Sequence, residues 1–137
     1  MGDRAFNPEG RTNVPHQKQL YFKAALATSA DGVLAAAPLN DGIVSIVHVS
    51  TGLYRITLRE SYRYHVHTDA TLNKSAADGG SSTKAAHGGP VANFGTGTPA
   101  TVDIFILDED GAVADPPAAN ANNFLSGSIT VCDVAAV

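Results

Sequence analysis

Apolar residues recur at every second position along much of this chain. In "LYFKAAL", Leu20, Phe22, Ala24 and Leu26 alternate with Tyr21 and Lys23. In "LYRITLR", Tyr54, Ile56 and Leu58 share one parity, and Arg55, Thr57 and Arg59 share the other. A period of two marks a strand that buries one face. The segments "IVSIVHV", "YRYHVHTDATL", "ATVDIFILDEDGAV" and "FLSGSITVCDV" continue the pattern. Turn signals fall between them at Ala30 to Gly32, Asn40 to Gly42, Ser50 to Gly52 and Asp108 to Gly111. The Ala-rich run "KAALATSADGVLAAA" has helical propensity, but its glycine and turn signal interrupt it, and no capped amphipathic run of helical length exists. Short strands separated by turns predict an all-β chain, with a single antiparallel β-sandwich or jelly-roll-like domain over residues 20–137. Parity predicts a core of Tyr54, Ile56, Leu58, Val66, Leu72, Ile104, Ile106, Ile129 and Val131.

Two stretches break the alternation. Residues 1–19, "MGDRAFNPEGRTNVPHQKQ", hold two prolines, two glycines and few apolar groups, and read as an extended N-terminal arm. Residues 73–99 are rich in Gly, Ser and Ala and poor in bulky side chains. They read as a long projecting loop that holds one short strand around Val91 to Phe94.

Composition narrows the partners. Nine Lys and Arg against thirteen Asp and Glu leave a formal charge of −4. That balance, with no basic run, argues against a nucleic-acid partner held by phosphate neutralisation. No apolar run approaches the length of a membrane span, and "MGDRAFNPEG" carries no apolar leader, so synthesis in a cytoplasm and no membrane partner are expected. The lone cysteine, Cys132, cannot close an internal disulfide and reads as a small strand residue.

The candidate chemistry lies in "SYRYHVHTDATL". His65, His67 and Asp69 stand two apart, which on a regular strand makes one stripe with Arg63, of the kind a β-sheet zinc or iron site uses. The better apolar face is Tyr62, Tyr64, Val66, Ala70 and Leu72. That parity sends Arg63, His65, His67 and Asp69 outward together, to solvent or to a neighbouring subunit, and no metal or other cofactor is expected there. Other motifs fail on spacing. There is no G-x-S-x-G elbow, "GGSSTK" is not a phosphate loop, "DEDG" is an acidic turn, and "NFGTGTP" precedes no helix. Tyr21, Tyr54, Tyr62 and Tyr64 are candidates for a sugar-stacking face and equally for ordinary strand packing.

The pattern G-x-Y-x-[IV]-T-L in "TGLYRITLRESYRYHVHTDATL" resembles small β-sandwich virion proteins of tailed bacteriophages, of the head-decoration, head-fibre or cement type. "VDIFILDEDGAVADPPAANANNFLSGSITV" is similar to the closing unit of such proteins: a strand, a D-x-x-G turn, an Ala/Asp/Pro stretch, an "AANANN"-type connection and a last apolar strand. The likeness spans roughly residues 43–131 and departs from the pattern in the long insertion between Leu72 and Val102. It implies a non-enzymatic, often trimeric protein on the capsid exterior whose partner is the major capsid protein. On that implication the arm is expected to make the capsid contact, with Phe6, Arg11, Val14 and His16 as candidates. Two other functions remain open from the residues: a tail-tip or fibre-head domain that binds a host receptor or glycan, and a small metal-dependent β-barrel enzyme built on His65 and His67.

Overall fold

A computed structural model describes residues 17–26, 29–36, 39–74, 83–86, 89–117 and 123–132. These residues form nine strands: β1 (Gln17–Ala25), β2 (Val33–Leu34), β3 (Ile43–Ser50), β4 (Leu53–Leu58), β5 (Tyr64–Asn73), β6 (Lys84–Ala86), β7 (Val91–Ala92), β8 (Thr101–Leu107) and β9 (Phe124–Cys132). They build two sheets. One has the order β2-β1-β9-β5, and the other runs β3-β4-β8-β6 with β7 also on β8. Every pairing is antiparallel. The fold is the all-β sandwich that the alternation predicts.

The alternating apolar faces meet in the middle. Leu20, Phe22 and Ala24 of β1, Leu125, Ile129 and Val131 of β9, and Ala70 and Leu72 of β5 pack against Ile43, Ile46, Tyr54, Ile56, Leu58, Val102, Ile104 and Ile106 of the other sheet. Burying such faces is the main favourable term in forming the sandwich. Eight of the nine core residues expected from parity are buried. The exception is Val66, which is 48% exposed, and its neighbour Tyr64 is 49% exposed.

The reason is a β-bulge. On β9, Val131 pairs with His65 and the next residue, Thr130, pairs with His67, so Val66 is an extra residue with no partner. A bulge puts two residues opposite one and shifts the parity of everything on one side of it. Beyond the bulge Thr68, Ala70 and Leu72 face inward as the even positions should. Before it, His65 takes the inward side with Val131, while Tyr64 turns out.

The arm boundary also moves. Gln17 to Gln19, placed in the arm by composition, begin β1 and pair with Cys132 to Thr130. Residues 1–16 lie outside those described. Within the 73–99 stretch, two strands pair with β8, not one. Ala30 to Gly32 is not a simple turn either: Gly32 bridges to Ile46, its N–H donating to the Ile46 carbonyl at 2.8 Å. The bridge is tight. A Cβ on Gly32 would sit 3.2 Å from the Ala24 and Ile46 side chains. It ties the end of the first sheet to β3 and so satisfies part of an edge strand.

Candidate functional site

Three neighbourhoods gather polar groups with chemical potential. The first is the bulge. His65 is half-buried, its Nε2 2.6 Å from Oγ1 of the buried Thr68 and its ring edge-on to Phe94 at 5.6 Å. Burial, and secondarily the neighbouring His67, hold its pKa below the usual imidazole value. His67 pairs with Thr130 and Asp69 with Ser128, so both lie on the outer face. Arg63 is exposed, and its backbone N–H donates to the Cys132 carbonyl. The expected outward stripe of Arg63, His65, His67 and Asp69 is therefore split, with His65 on the opposite side of the sheet from His67 and Asp69. Among the described residues, no three His, Cys, Asp or Glu side chains are grouped to hold a metal ion.

The second neighbourhood joins distant parts of the chain around Asp115. Its Oδ1 lies 2.9 Å from His48 Nε2 and accepts the Gly52 N–H at 2.8 Å, and its Oδ2 accepts the Ser29 hydroxyl at 2.9 Å. Burial pushes the carboxyl up, but the Gly52 N–H, His48 and Ser29 together outweigh it and hold Asp115 below the usual carboxylate value. Asp31 accepts the His48 backbone N–H at 2.8 Å, and the Tyr54 ring meets His48 edge-on at 5.2 Å. The Tyr54 hydroxyl is pushed well above its ordinary value, chiefly by burial and then by Asp115 and Asp31. The serine bonds the carboxylate and not the imidazole, so this is not the nucleophile–base–orienter order of a hydrolase triad. It works as a clamp. Asp115 fixes the stretch after β8 onto the β3–β4 turn, where Gly52 has φ +67° and a Cβ would collide with the Ala114 and Ile106 backbone.

The third is the outer face of the first sheet. Register aligns three cross-strand rows: Gln19–Thr130–His67, Tyr21–Ser128–Asp69 and Lys23–Ser126–Thr71. Small hydroxyl side chains run down the middle strand, with longer ones on both flanks, so the face is a trough over β9. One end is a depression of about 390 Å³ lined by Tyr21, Lys23, Leu39, Asp69, Ser126 and Ser128. Asn40 follows the lining residue Leu39 in the chain. This residue is buried, has φ +65°, and uses its side-chain amide as a substitute strand: Oδ1 accepts the Lys23 N–H, and Nδ2 donates to the Lys23 and Ala35 carbonyls, all at 2.9 Å. Asparagine tolerates the left-handed region because its short side chain bonds locally.

The sequence pattern located Asp69 and Tyr21 on outward positions of their strands. It missed Asn40, Ser29 and Asp115. The "NDG" turn signal contained Asn40 without showing that its amide would reach β1. Nothing local marks Asp115, whose partners His48 and Ser29 are 67 and 86 residues away. The arm candidates Phe6, Arg11, Val14 and His16 lie outside the described residues. Among those residues no helix is long and apolar enough to cross a membrane.

Comparison with protein-family models, curated proteins and solved structures finds no match.

Proposed function

We propose that the chain is a non-enzymatic virion protein of the head-decoration type, which docks as a homo-oligomer, a trimer in the simplest case, on the major capsid protein and reinforces the exterior of the shell. One observation supports the reading most directly. The two sequence blocks that carry the resemblance, although separated by the Gly/Ser-rich insertion, fold as one unit. Strand β4 of the first block lies beside β8 of the second, with Tyr54 opposite Ile104, and Asp115 of the Ala/Asp/Pro stretch accepts the Gly52 N–H of the first block's turn. The blocks are thus parts of one sandwich and not two unrelated likenesses. A decoration role suits a small single fold, because many copies in fixed positions add weak contacts through multivalency.

The test is the abundance of the chain in purified particles of the phage that encodes it, measured by quantitative mass spectrometry against the major capsid protein. A copy number comparable to that of the capsid subunit is the expected result. A few copies per particle would move the protein to the tail tip, and none would remove it from the virion.

A further inference from the structure

We propose that the trough over β9 is a saccharide-binding site, in which Tyr21 is the stacking platform and Asp69 the acceptor for sugar hydroxyls. The inference is independent of where the protein is displayed, since it concerns only the outer face of the first sheet.

The shape comes from register. Ser126 and Ser128 leave the floor low, while Tyr21 and Lys23 rise on the β1 side and Asp69 and Thr71 on the β5 side. Leu39 adds an apolar wall next to Tyr21. The depression, about 390 Å³, is shallow and open to solvent, so a ligand would lie along the sheet face and not inside a cavity.

The chemistry is that of a pyranose ring, which presents an apolar C–H face and a rim of hydroxyls. Tyr21 is 57% exposed, and its hydroxyl donates to Gln19 Oε1 at 2.8 Å, which restrains the ring while leaving most of it to solvent. An exposed, restrained aromatic ring beside polar groups offers contact area at small entropic cost. Across the floor, the Asp69 carboxylate can accept from two neighbouring hydroxyls, a charge-assisted geometry. The Ser128 hydroxyl both donates and accepts, and Ser126 Oγ, which already accepts from Asn73 Nδ2 at 3.0 Å, retains its donor. Lys23 holds its ammonium 4.2 Å over the Phe124 ring, at the edge of the trough.

The frame is rigid. β9 is hydrogen-bonded on both sides, and Asn40 locks the Leu39 turn to the backbone of Lys23. At Gly127 a Cβ would run into the Asp69 carbonyl, so β5 and β9 approach closely at the site. Groups mounted on paired strands are held more precisely than groups on loops. Other ligand classes fit less well. A phosphate-bearing chain would meet Asp69 on a face with a single lysine, and a strand-adding peptide needs a sheet edge, whereas the trough lies on a face.

The test is a titration of the full chain, followed by amide chemical shifts, with maltotetraose, cellotetraose, chitotetraose and mannotetraose in turn. At least one is expected to give saturable shifts at Tyr21 to Lys23, Asp69 to Thr71 and Ser126 to Ser128. Tyr21→Ala and Asp69→Asn should each weaken that binding by roughly tenfold, with thermal melting unchanged, while Tyr64→Ala, two rows away on the same sheet, should not. No saturable shift with any of the four would overturn the proposal. So would shifts centred away from the trough, unchanged affinity in both variants, or concentration-dependent shifts of the trough without sugar, which would mark it as a contact between copies.

Discussion

His48 and His65 sit on strands of different sheets, each partly buried and each against an aromatic ring, yet they reach opposite settings. His48 meets a carboxylate, Asp115, delivered from 67 residues away, and that carboxylate is itself held by Gly52 and Ser29. His65 meets the hydroxyl of Thr68, three residues on, and lies close enough to His67 for that neighbour to lower its pKa. The histidine within the suggestive sequence spacing, His65, meets a hydroxyl. The histidine with no local signal, His48, meets a carboxylate that is fixed by two further bonds. Topology, and not spacing, assembled the stronger polar cluster. A clamp that crosses the fold stabilises it where the chain would otherwise splay, whereas a local imidazole–hydroxyl contact stabilises mainly a bulge.

The largest effect is expected behind the His48 clamp, at Ile104, which is fully buried opposite Tyr54. Ile104→Ala should cost about 2–5 kcal/mol in chemical denaturation, the range for removing a buried aliphatic side chain. A loss under ~1 kcal/mol would mean that the two sheets are not packed around this position.

Next in size is the clamp itself. Asp115→Ala removes the acceptor of the Gly52 N–H and the Ser29 hydroxyl and the partner of His48, and should cost about 1–3 kcal/mol. Ser29→Ala, which removes one exposed bond, should cost less. The carboxyl is held below its unfolded value of about 3.9, so its stabilising contribution is present above that pH and is lost as pH falls through the lower folded value. The variant should therefore lose stability at pH 7 and show a flatter acid limb in urea midpoints between pH 5 and pH 2. Equal slopes in the two proteins would show that the clamp does not form.

His65 should behave with the other sign of partner and a smaller amplitude. Its folded pKa is depressed, so protonation favours the unfolded chain. Stability is full above the unfolded value of about 6.5, declines as pH falls below it, and levels off beneath the folded value. His65→Asn should abolish that decline. A stability that rises from pH 7 to pH 5 would place a carboxylate next to His65 that the structure does not.

Much of the fold is legible because strand alternation is written in the residues themselves. Tyr54, Ile56 and Leu58, or Ile104 and Ile106, can be assigned to the core without knowing their neighbours. A bulge cannot be read this way. Whether Val66 is paired or extra depends on which residues of β9 it meets, and β9 lies far along the chain. The difference at Val66 extends to His65 and Tyr64, because a parity shift moves every residue on one side of it. The long-range hydrogen bonds of Asn40 and Asp115 were hidden for the same reason: their partners are set by topology, and short polar side chains look alike whether they face water or backbone. The Gly/Ser-rich insertion misled differently. Its low apolar content reads as a loop with one short strand near Val91, yet Lys84–Ala86 also forms a strand, because β8 offers it an unpaired edge.

The smallest effect tests that parity shift directly. Val66→Thr keeps the shape and the β-branch of the side chain, so strand propensity is nearly unchanged and the substitution reports burial alone. On a regular strand Val66 would face the core with Leu72, and the added hydroxyl would have no partner, at a cost of about 1–3 kcal/mol. As the extra residue of a bulge, with nearly half its surface in solvent, it should tolerate the hydroxyl within about 0.5 kcal/mol. Leu72→Ala, on the buried side of the same strand, provides the scale and should cost about 2–4 kcal/mol. A near-neutral Val66→Thr beside a costly Leu72→Ala fits only a strand whose facing changes between the two positions. A costly Val66→Thr would restore the regular strand, bring His65 back beside His67 and Asp69, and reopen the outward stripe as one surface.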